Sequence, residues 1–354
     1  MPLSRISRAM CIAALSLTVS ALLAACGGGG GATPPVAVSP SYGAVSTPSP
    51  VPYGPPPGSA SAGSNVATFD GCSVFAAGGW YNKPIAGTLP DPNSSTYING
   101  AVAAGATGGL EMYFPSSEFI NVASSSTPQL TVQQQVSYHR FSAPYPWAPN
   151  FKIEPAGDSH AIVLDASTCH LYESYGTSYN ASSNTLTAFS GANWDLTKPF
   201  VSMPAGQPSA MASGLSLFAG MVKWEDVSSG VIRHALNIAI PAGTACNHCY
   251  TAPASAAEAY TFKGSSAYQI PYGAHLRLKA SFNIAGLSPQ AQIVAKALQT
   301  YGAYMADTGC CLELWQAQPL DGNDAHWNSA DLATLNRIRM SDFEVMPVGQ
   351  VTHY

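Results

Sequence analysis

Apolar and polar residues alternate most cleanly between Ala274 and Ile284. Leu276, Leu278, Ala280, Phe282 and Ile284 are interleaved there with His275, Arg277, Lys279, Ser281 and Asn283. A period of two is the signature of a strand with one face on the core and the other in water. By the same rule Ile232, Leu236, Ile238 and Ile240 predict a second strand, with His234 on its apolar face. The segment His160-Ala-Ile-Val-Leu-Asp165 has four consecutive apolar residues at its centre, as in a strand buried on both faces. Cys169 to Tyr175 comes after an Ala-Ser-Thr turn as its hairpin partner, with Glu173 and Leu171 on one face.

The period changes after Gly286. Ser288 is a good N-cap, Pro289 suits the first helical position, and Val294, Ala297, Leu298, Tyr301 and Met305 recur at helical spacing. A helix is therefore predicted from Ser288 through Met305, with Gly309 beyond its end. A shorter one is predicted from Ser329, with Leu332 and Leu335 facing inward. Many strands and one long helix late in the chain predict a mainly β or α+β fold, a single β-rich sandwich or barrel with the helix packed on a sheet.

The first 25 residues read as an export signal: Arg5 and Arg8, an apolar run from Ala9 to Leu23, then small residues before Cys26. That run of roughly 15 residues is short for a membrane span. Leu23-Ala24-Ala25-Cys26 resembles a bacterial lipobox, which implies cleavage before Cys26 and acylation of its thiol. Gly27, by resemblance to Gram-negative lipoproteins, implies release to the outer membrane, so the expected membrane partner is reached through a lipid anchor. Residues 26–65 are rich in Gly, Pro and Ser with almost no charge, and cannot bury enough apolar surface to order themselves. They read as a tether ahead of an extracytoplasmic domain over 66–354, expected to be a monomer.

Only 9% of residues are charged and the net charge is −5. With no basic excess to displace phosphate counterions, a nucleic-acid partner is excluded. Neutral polymers such as glycans and small molecules stay open. Of eight cysteines, Cys11 lies in the export segment and Cys26 is the anchor. Cys72, Cys169, Cys246, Cys249, Cys310 and Cys311 remain, an even set that suits disulfides in an oxidising compartment, with connectivity open. A loop-closing bridge from Cys246 to Cys249 is the simple reading. The alternative makes Cys246 and Cys249 half of a zinc site completed by Cys310 and Cys311.

The chain has no Gly-x-Ser-x-Gly elbow, no His-Glu-x-x-His helix and no phosphate-cradling glycine loop. No cofactor is implied. Candidate chemistry rests on polar residues in apolar surroundings: His160, Asp165, Glu173, His234 and Asp307. A buried imidazole or carboxylate is costly unless partnered, and an apolar setting shifts its pKa toward values useful for acid–base work. Glu173 and Asp307 are the carboxylates that would cleave a glycosidic bond, with His160 and His234 beside them. Trp80, Tyr81, Tyr138, Tyr145, Trp147, Trp194, Trp224 and Trp315 are candidates to line a sugar groove or to fill the core. Lys223, Arg277 and Lys279 read as residues of solvated faces. Two rival readings are a non-catalytic glycan- or ligand-binding lipoprotein, and a metal-dependent hydrolase with His160, Asp165 and His234 as ligands.

The segments Gly157-Asp-Ser-His160-Ala-Ile-Val-Leu-Asp165, Cys169-His-Leu-Tyr-Glu173, Gly214-Leu-Ser-Leu-Phe-Ala-Gly220, Glu225-Asp-Val, Ile232-Arg-His-Ala-Leu236, Arg277-Leu-Lys-Ala-Ser-Phe282 and Ala306-Asp-Thr-Gly309 belong together. In that order they resemble a family of exported bacterial proteins of uncharacterised function. The resemblance covers about residues 70 to 347 and implies a coherent domain without implying an activity. The family usually has Asp-Asn-Gly where Asp307-Thr308-Gly309 stands, and the insert with Cys246 and Cys249 is particular to this chain. Ile270-Pro-Tyr-Gly273, together with the later Asp307-Thr-Gly309, is also similar to segments of double-psi barrel domains in lytic transglycosylases and some endoglucanases. That likeness implies Asp307 as the acid, although the predicted helix intrudes between the two segments.

Overall fold

The computed structural model describes residues 66–112, 118–135, 144–155 and 157–354. The export segment, Cys26, the tether and Tyr138 lie outside them. The chain is strand-rich, with few helices and a curled half-barrel sheet, as the α+β reading expects. Among the described residues no helix is long and apolar enough to cross a membrane.

The hairpin forms where the apolar run predicts it. Ala161–Asp165, buried at every position, pairs antiparallel with His170–Tyr175 in a register that sets Ile162 opposite Glu173. Asp165 closes the turn by accepting hydrogen bonds from the Ser167 backbone N–H (2.9 Å) and hydroxyl (2.6 Å). Ser190–Asp195 and Ile120–Ala123 flank the pair and complete a four-stranded sheet. The disulfide Cys72–Cys169 ties this hairpin to a short N-terminal strand pair.

A six-stranded sheet runs in the order Phe343–Val345, His275–Leu278, Ala303–Gly309, Leu236–Pro241, Leu312–Leu314, Leu110–Met112. Its two central strands, Leu236–Pro241 and Ala303–Gly309, run parallel, and the first is almost wholly buried. Burial on both faces is the usual condition of parallel neighbours. Beside it, Ala245–Thr251 pairs with Ile270–Tyr272 and Val351–His353.

Several expectations are corrected. The alternating segment is a strand only over His275–Leu278, and from Lys279 it turns toward a 3-10 turn at Ile284–Gly286. Arg277 does not face water: its Nε and Nη2 each donate to Glu344 Oε1 at 2.8 Å across the strand pair, and Nη1 donates to the Ile85 carbonyl. Lys223 is also buried, donating to the Met221 carbonyl at 3.2 Å with its ammonium 4.6 Å above the Phe218 ring. The strand through Ile240 begins only at Leu236.

The long helix is Pro289–Thr300, not a helix reaching Met305. Tyr301 and Gly302 both return their N–H groups to the Ala297 carbonyl, and Gly302 sits at φ 72°. A left-handed glycine ends a helix cheaply. A Cβ there would come within 2.5 Å of the Leu276 carbonyl oxygen. Past this glycine the chain runs straight into the strand Ala303–Gly309. The shorter helix forms at Ser329–Leu332, capped by the Asn328 side chain, with Leu332 and Leu335 buried.

Most large aromatics prove to be core. Tyr81, Tyr145, Trp147 and Trp194 are buried, whereas Trp80 is exposed and Trp224 stacks on His326 with ring centroids 5.0 Å apart.

Candidate functional site

His160 immediately precedes the Ala161–Asp165 strand and is buried. Its Nδ1 lies 3.1 Å from Glu154 Oε2 and 3.5 Å from Glu118 Oε1, and its Nε2 donates to the Ala210 carbonyl at 3.1 Å. Glu154 also takes the His160 backbone N–H at 3.2 Å, and Glu154 N–H returns to the His160 carbonyl, so the loop closes on itself. With acceptors at both nitrogens, the ring is built as an imidazolium. Desolvation works against the charge, but Glu118 and Glu154 outweigh it and hold the His160 pKa well above the usual range.

Asp307 sits on the central Ala303–Gly309 strand. The pairing with Leu236–Pro241 shifts register between Ile238 and Ala239, so that Met305 faces Ile238 and Asp307 faces Ala239. The extra residue, Ala306, is a bulge immediately before Asp307, a device that re-aims a side chain. Asp307 Oδ2 accepts from the Ala212 N–H at 3.1 Å and Oδ1 from the Thr308 N–H at 2.8 Å. Desolvation pushes the Asp307 pKa well up, and the Glu258 and Asp158 carboxylates push it further, against those two hydrogen bonds. The carboxyl pKa is thus raised, although the residue stays partly exposed.

Glu258 is fixed by the Thr308 hydroxyl at 2.5 Å and the Tyr272 hydroxyl at 3.0 Å, both on Oε2. Tyr175, Tyr260 and Tyr272 complete the surroundings. Desolvation first, then the Glu258 and Asp307 carboxylates, push the Tyr260 phenol up to about 12 and the Tyr272 phenol well above its ordinary value. Tyr175 is raised by desolvation and by Asp158, while His160 pulls it down, so the phenol ties the imidazolium electrostatically to the acidic cluster. The result is a partly open site of three carboxyls and three phenols.

The other candidates lie elsewhere. Glu173 is fully buried: Oε1 accepts from the Ser216 hydroxyl (2.9 Å) and the Phe218 N–H (2.7 Å), and Oε2 from the Leu217 N–H (3.0 Å). It caps the short helix Leu217–Gly220. Desolvation pushes its pKa up to about 7 against those bonds. Asp165 is committed to its turn. His234 is buried against Asp226, with Nε2 3.3 Å from Oδ2 and Nδ1 on the Ala235 carbonyl.

The trio His160, Asp165 and His234 does not gather as a metal centre: among the described residues the groups that do gather are Glu118–Glu154–His160, Cys246–Cys249–His353 and Cys310–Cys311–Glu313. In the first, the imidazolium already supplies the positive charge between the two carboxylates. Cys246 and Cys249 form a disulfide, so they do not join Cys310 and Cys311 around zinc.

Sequence reasoning passed over Glu258, Asp158, Tyr175, Tyr272, Glu118 and Glu154. Asp158 and Tyr272 stand within the segments that carry the two resemblances, whereas Glu258 lies in a loop with no periodic signal. The Ile270–Tyr272 segment and Asp307 do come together: Gly273 N–H donates to the Met305 carbonyl at 2.7 Å, and Met305 N–H to the Ala274 carbonyl at 2.8 Å. No protein-family model, curated protein or solved structure matches the chain.

Proposed function

We propose that this chain is a lipid-anchored, exported carbohydrate-active protein that cleaves a cell-envelope or environmental glycan, with Asp307 as general acid. The observation behind this reading is a carboxyl biased toward protonation, held by two backbone N–H groups beside a second carboxylate in a partly open, tyrosine-lined site. A carboxyl whose pKa is raised holds its proton to higher pH and can donate it to a glycosidic oxygen as the bond to the anomeric carbon breaks.

Glu258 is the second carboxyl in this reading, replacing Glu173, whose oxygens are both committed in the core. As a carboxylate it would accept the proton of an attacking hydroxyl, or stabilise the positive charge that develops on the sugar ring. Tyr175 and Tyr260, both partly exposed, supply flat faces of the kind that hold uncharged sugars, while the buried Tyr272 positions Glu258. Anchoring at Cys26 would place the site outside the cytoplasm.

The test is release of soluble sugar fragments from peptidoglycan and from neutral polysaccharides by the wild type and by Asp307→Asn. Loss of about 100-fold or more in rate in the variant is expected, within the usual range for removing a general acid. Wild-type binding of a glycan without turnover would instead favour the non-catalytic binding protein.

A further inference from the structure

Cys310 and Cys311 carry no disulfide, unlike Cys72, Cys169, Cys246 and Cys249. They come directly after the strand that bears Asp307 and lead into Leu312–Leu314, so the pair crosses the end of the central sheet. Their Sγ atoms lie 2.7 Å apart. Glu313 turns its carboxylate back to the same place: ligand atoms of Cys310, Cys311 and Glu313 all fall within 4.8 Å of one another. A Cβ on Gly309 would meet Glu313 Oε1 at 3.0 Å, so the glycine leaves room for that return. On the neighbouring parallel strand Glu111 stands in register with Glu313. Cys310, Cys311 and Glu111 are partly exposed, so an ion in solution can reach them.

We propose that Cys310, Cys311 and Glu313, with Glu111 beside them, form a binding site for a thiophilic divalent cation of the zinc and cadmium class. Two thiolates and one or two carboxylates are a donor set that borderline-soft, four-coordinate ions accept and that magnesium and calcium disfavour. Binding is a proton exchange: each thiol loses its proton to solvent and each sulfur donates an electron pair to the metal, with no change of oxidation state. Tetrahedral ligation with metal–sulfur bonds of about 2.3 Å needs the sulfurs about 3.8 Å apart, so binding draws the two side chains apart from their 2.7 Å separation. This site is separate from the acidic cluster of the proposed glycan chemistry and does not depend on it.

The test is titration of the reduced full chain with cadmium alone, monitored by the thiolate-to-cadmium charge-transfer band in the ultraviolet, with proton release read in weak buffer. The expected result is one ion per chain with release of up to two protons. Affinity should fall at least about tenfold in Cys310→Ser and in Cys311→Ser, and severalfold in Glu313→Gln, while thermal melting of the metal-free variants stays at the wild-type value. No band in the reduced wild type would overturn the proposal. So would a band that survives unchanged in Cys310→Ser, since the ion would then sit on the reduced Cys246 and Cys249.

Discussion

His160, just ahead of the four-stranded sheet's Ala161–Asp165 strand, and Asp307, on the six-stranded sheet, hold the same three residues: His160 Nε2 donates to the Ala210 carbonyl, and Asp307 Oδ2 accepts from the Ala212 N–H, each at 3.1 Å. The stretch is pinned further by the Ser190 hydroxyl on the Ser209 carbonyl (2.8 Å) and by the Ser213 N–H on the Ala306 carbonyl (3.3 Å). A buried cation and a protonation-prone carboxyl are therefore joined through one short length of backbone, which bridges the four-stranded and six-stranded sheets. The bridge gives a physical reason why His160, though it lies outside the acidic cluster, bears on the geometry of Asp307.

His160 should remain an imidazolium at neutral pH. Its folded pKa is raised, so the stability it contributes is complete below the unfolded value near 6.5 and is lost as pH rises through the folded value. Nitrogen-15 NMR of the imidazoles should show both ring nitrogens of His160 protonated at pH 7, and titration at or below 6.5 would refute the ion-pair account. Replacing His160 with Gln should cost about 3 to 5 kcal/mol, because Glu118 and Glu154 would be left in the core without their cation.

Glu173→Gln should destabilise the protein by about 1 to 3 kcal/mol, since an amide cannot accept from Leu217, Ser216 and Phe218 at both ends. Chemical denaturation across pH checks a second consequence. With the folded pKa raised from 4.5 to about 7, the wild type loses stability as pH climbs through that interval, and the variant lacks this loss. A variant with unchanged stability would remove Glu173 from its capping role.

The Cys72–Cys169 bridge closes a loop with a sequence separation of 97. In the chain-entropy view such a loop is worth about 4 to 5 kcal/mol. Paired Cys72→Ser and Cys169→Ser substitution should lower the denaturation free energy by an amount of that order, whereas removing Cys246–Cys249, which spans three positions, should cost distinctly less.

Gly273→Ala should damage the acidic site from a distance. Gly273 has φ 82°, and a Cβ there would approach the Thr251 carbonyl oxygen to 2.1 Å and the Ala254 Cβ to 2.7 Å. The backbone would have to shift where Gly273 N–H meets the Met305 carbonyl, two residues before Asp307. A cost of at least about 1 to 3 kcal/mol is expected in equilibrium unfolding.

How much of this was legible in the chain depended on whether the signal was local. The 161–175 hairpin was readable because an unbroken apolar run, a turn and a second run are contiguous, and Asp165 supplies the turn chemistry itself. The end of the long helix was not, because Ala303 to Ala306 is apolar at every position and fits a strand as well as a helix. Alternation placed Arg277 in water because periodicity cannot register that Glu344 and Ile85 cover that face. The acidic site was half visible. Asp307 stood out as polar among apolar neighbours, but Glu258 and Asp158 come from loops, where only the folded backbone decides which carboxyls meet. Glu173 looked catalytic for the reason that makes it a cap: a buried carboxylate needs donors, and here the Leu217–Gly220 helix supplies them.

The central claim is that burial, reinforced by the neighbouring Glu258 and Asp158 carboxyls, raises the pKa of Asp307, and the most direct measurement is the carbon-13 titration of its side-chain carboxyl. The account predicts a midpoint well above the usual carboxylate range, falling toward that range when Glu258 is changed to Gln and one of the opposing charges is removed. A midpoint near 3.8 in the wild type, unmoved by Glu258→Gln, would contradict it.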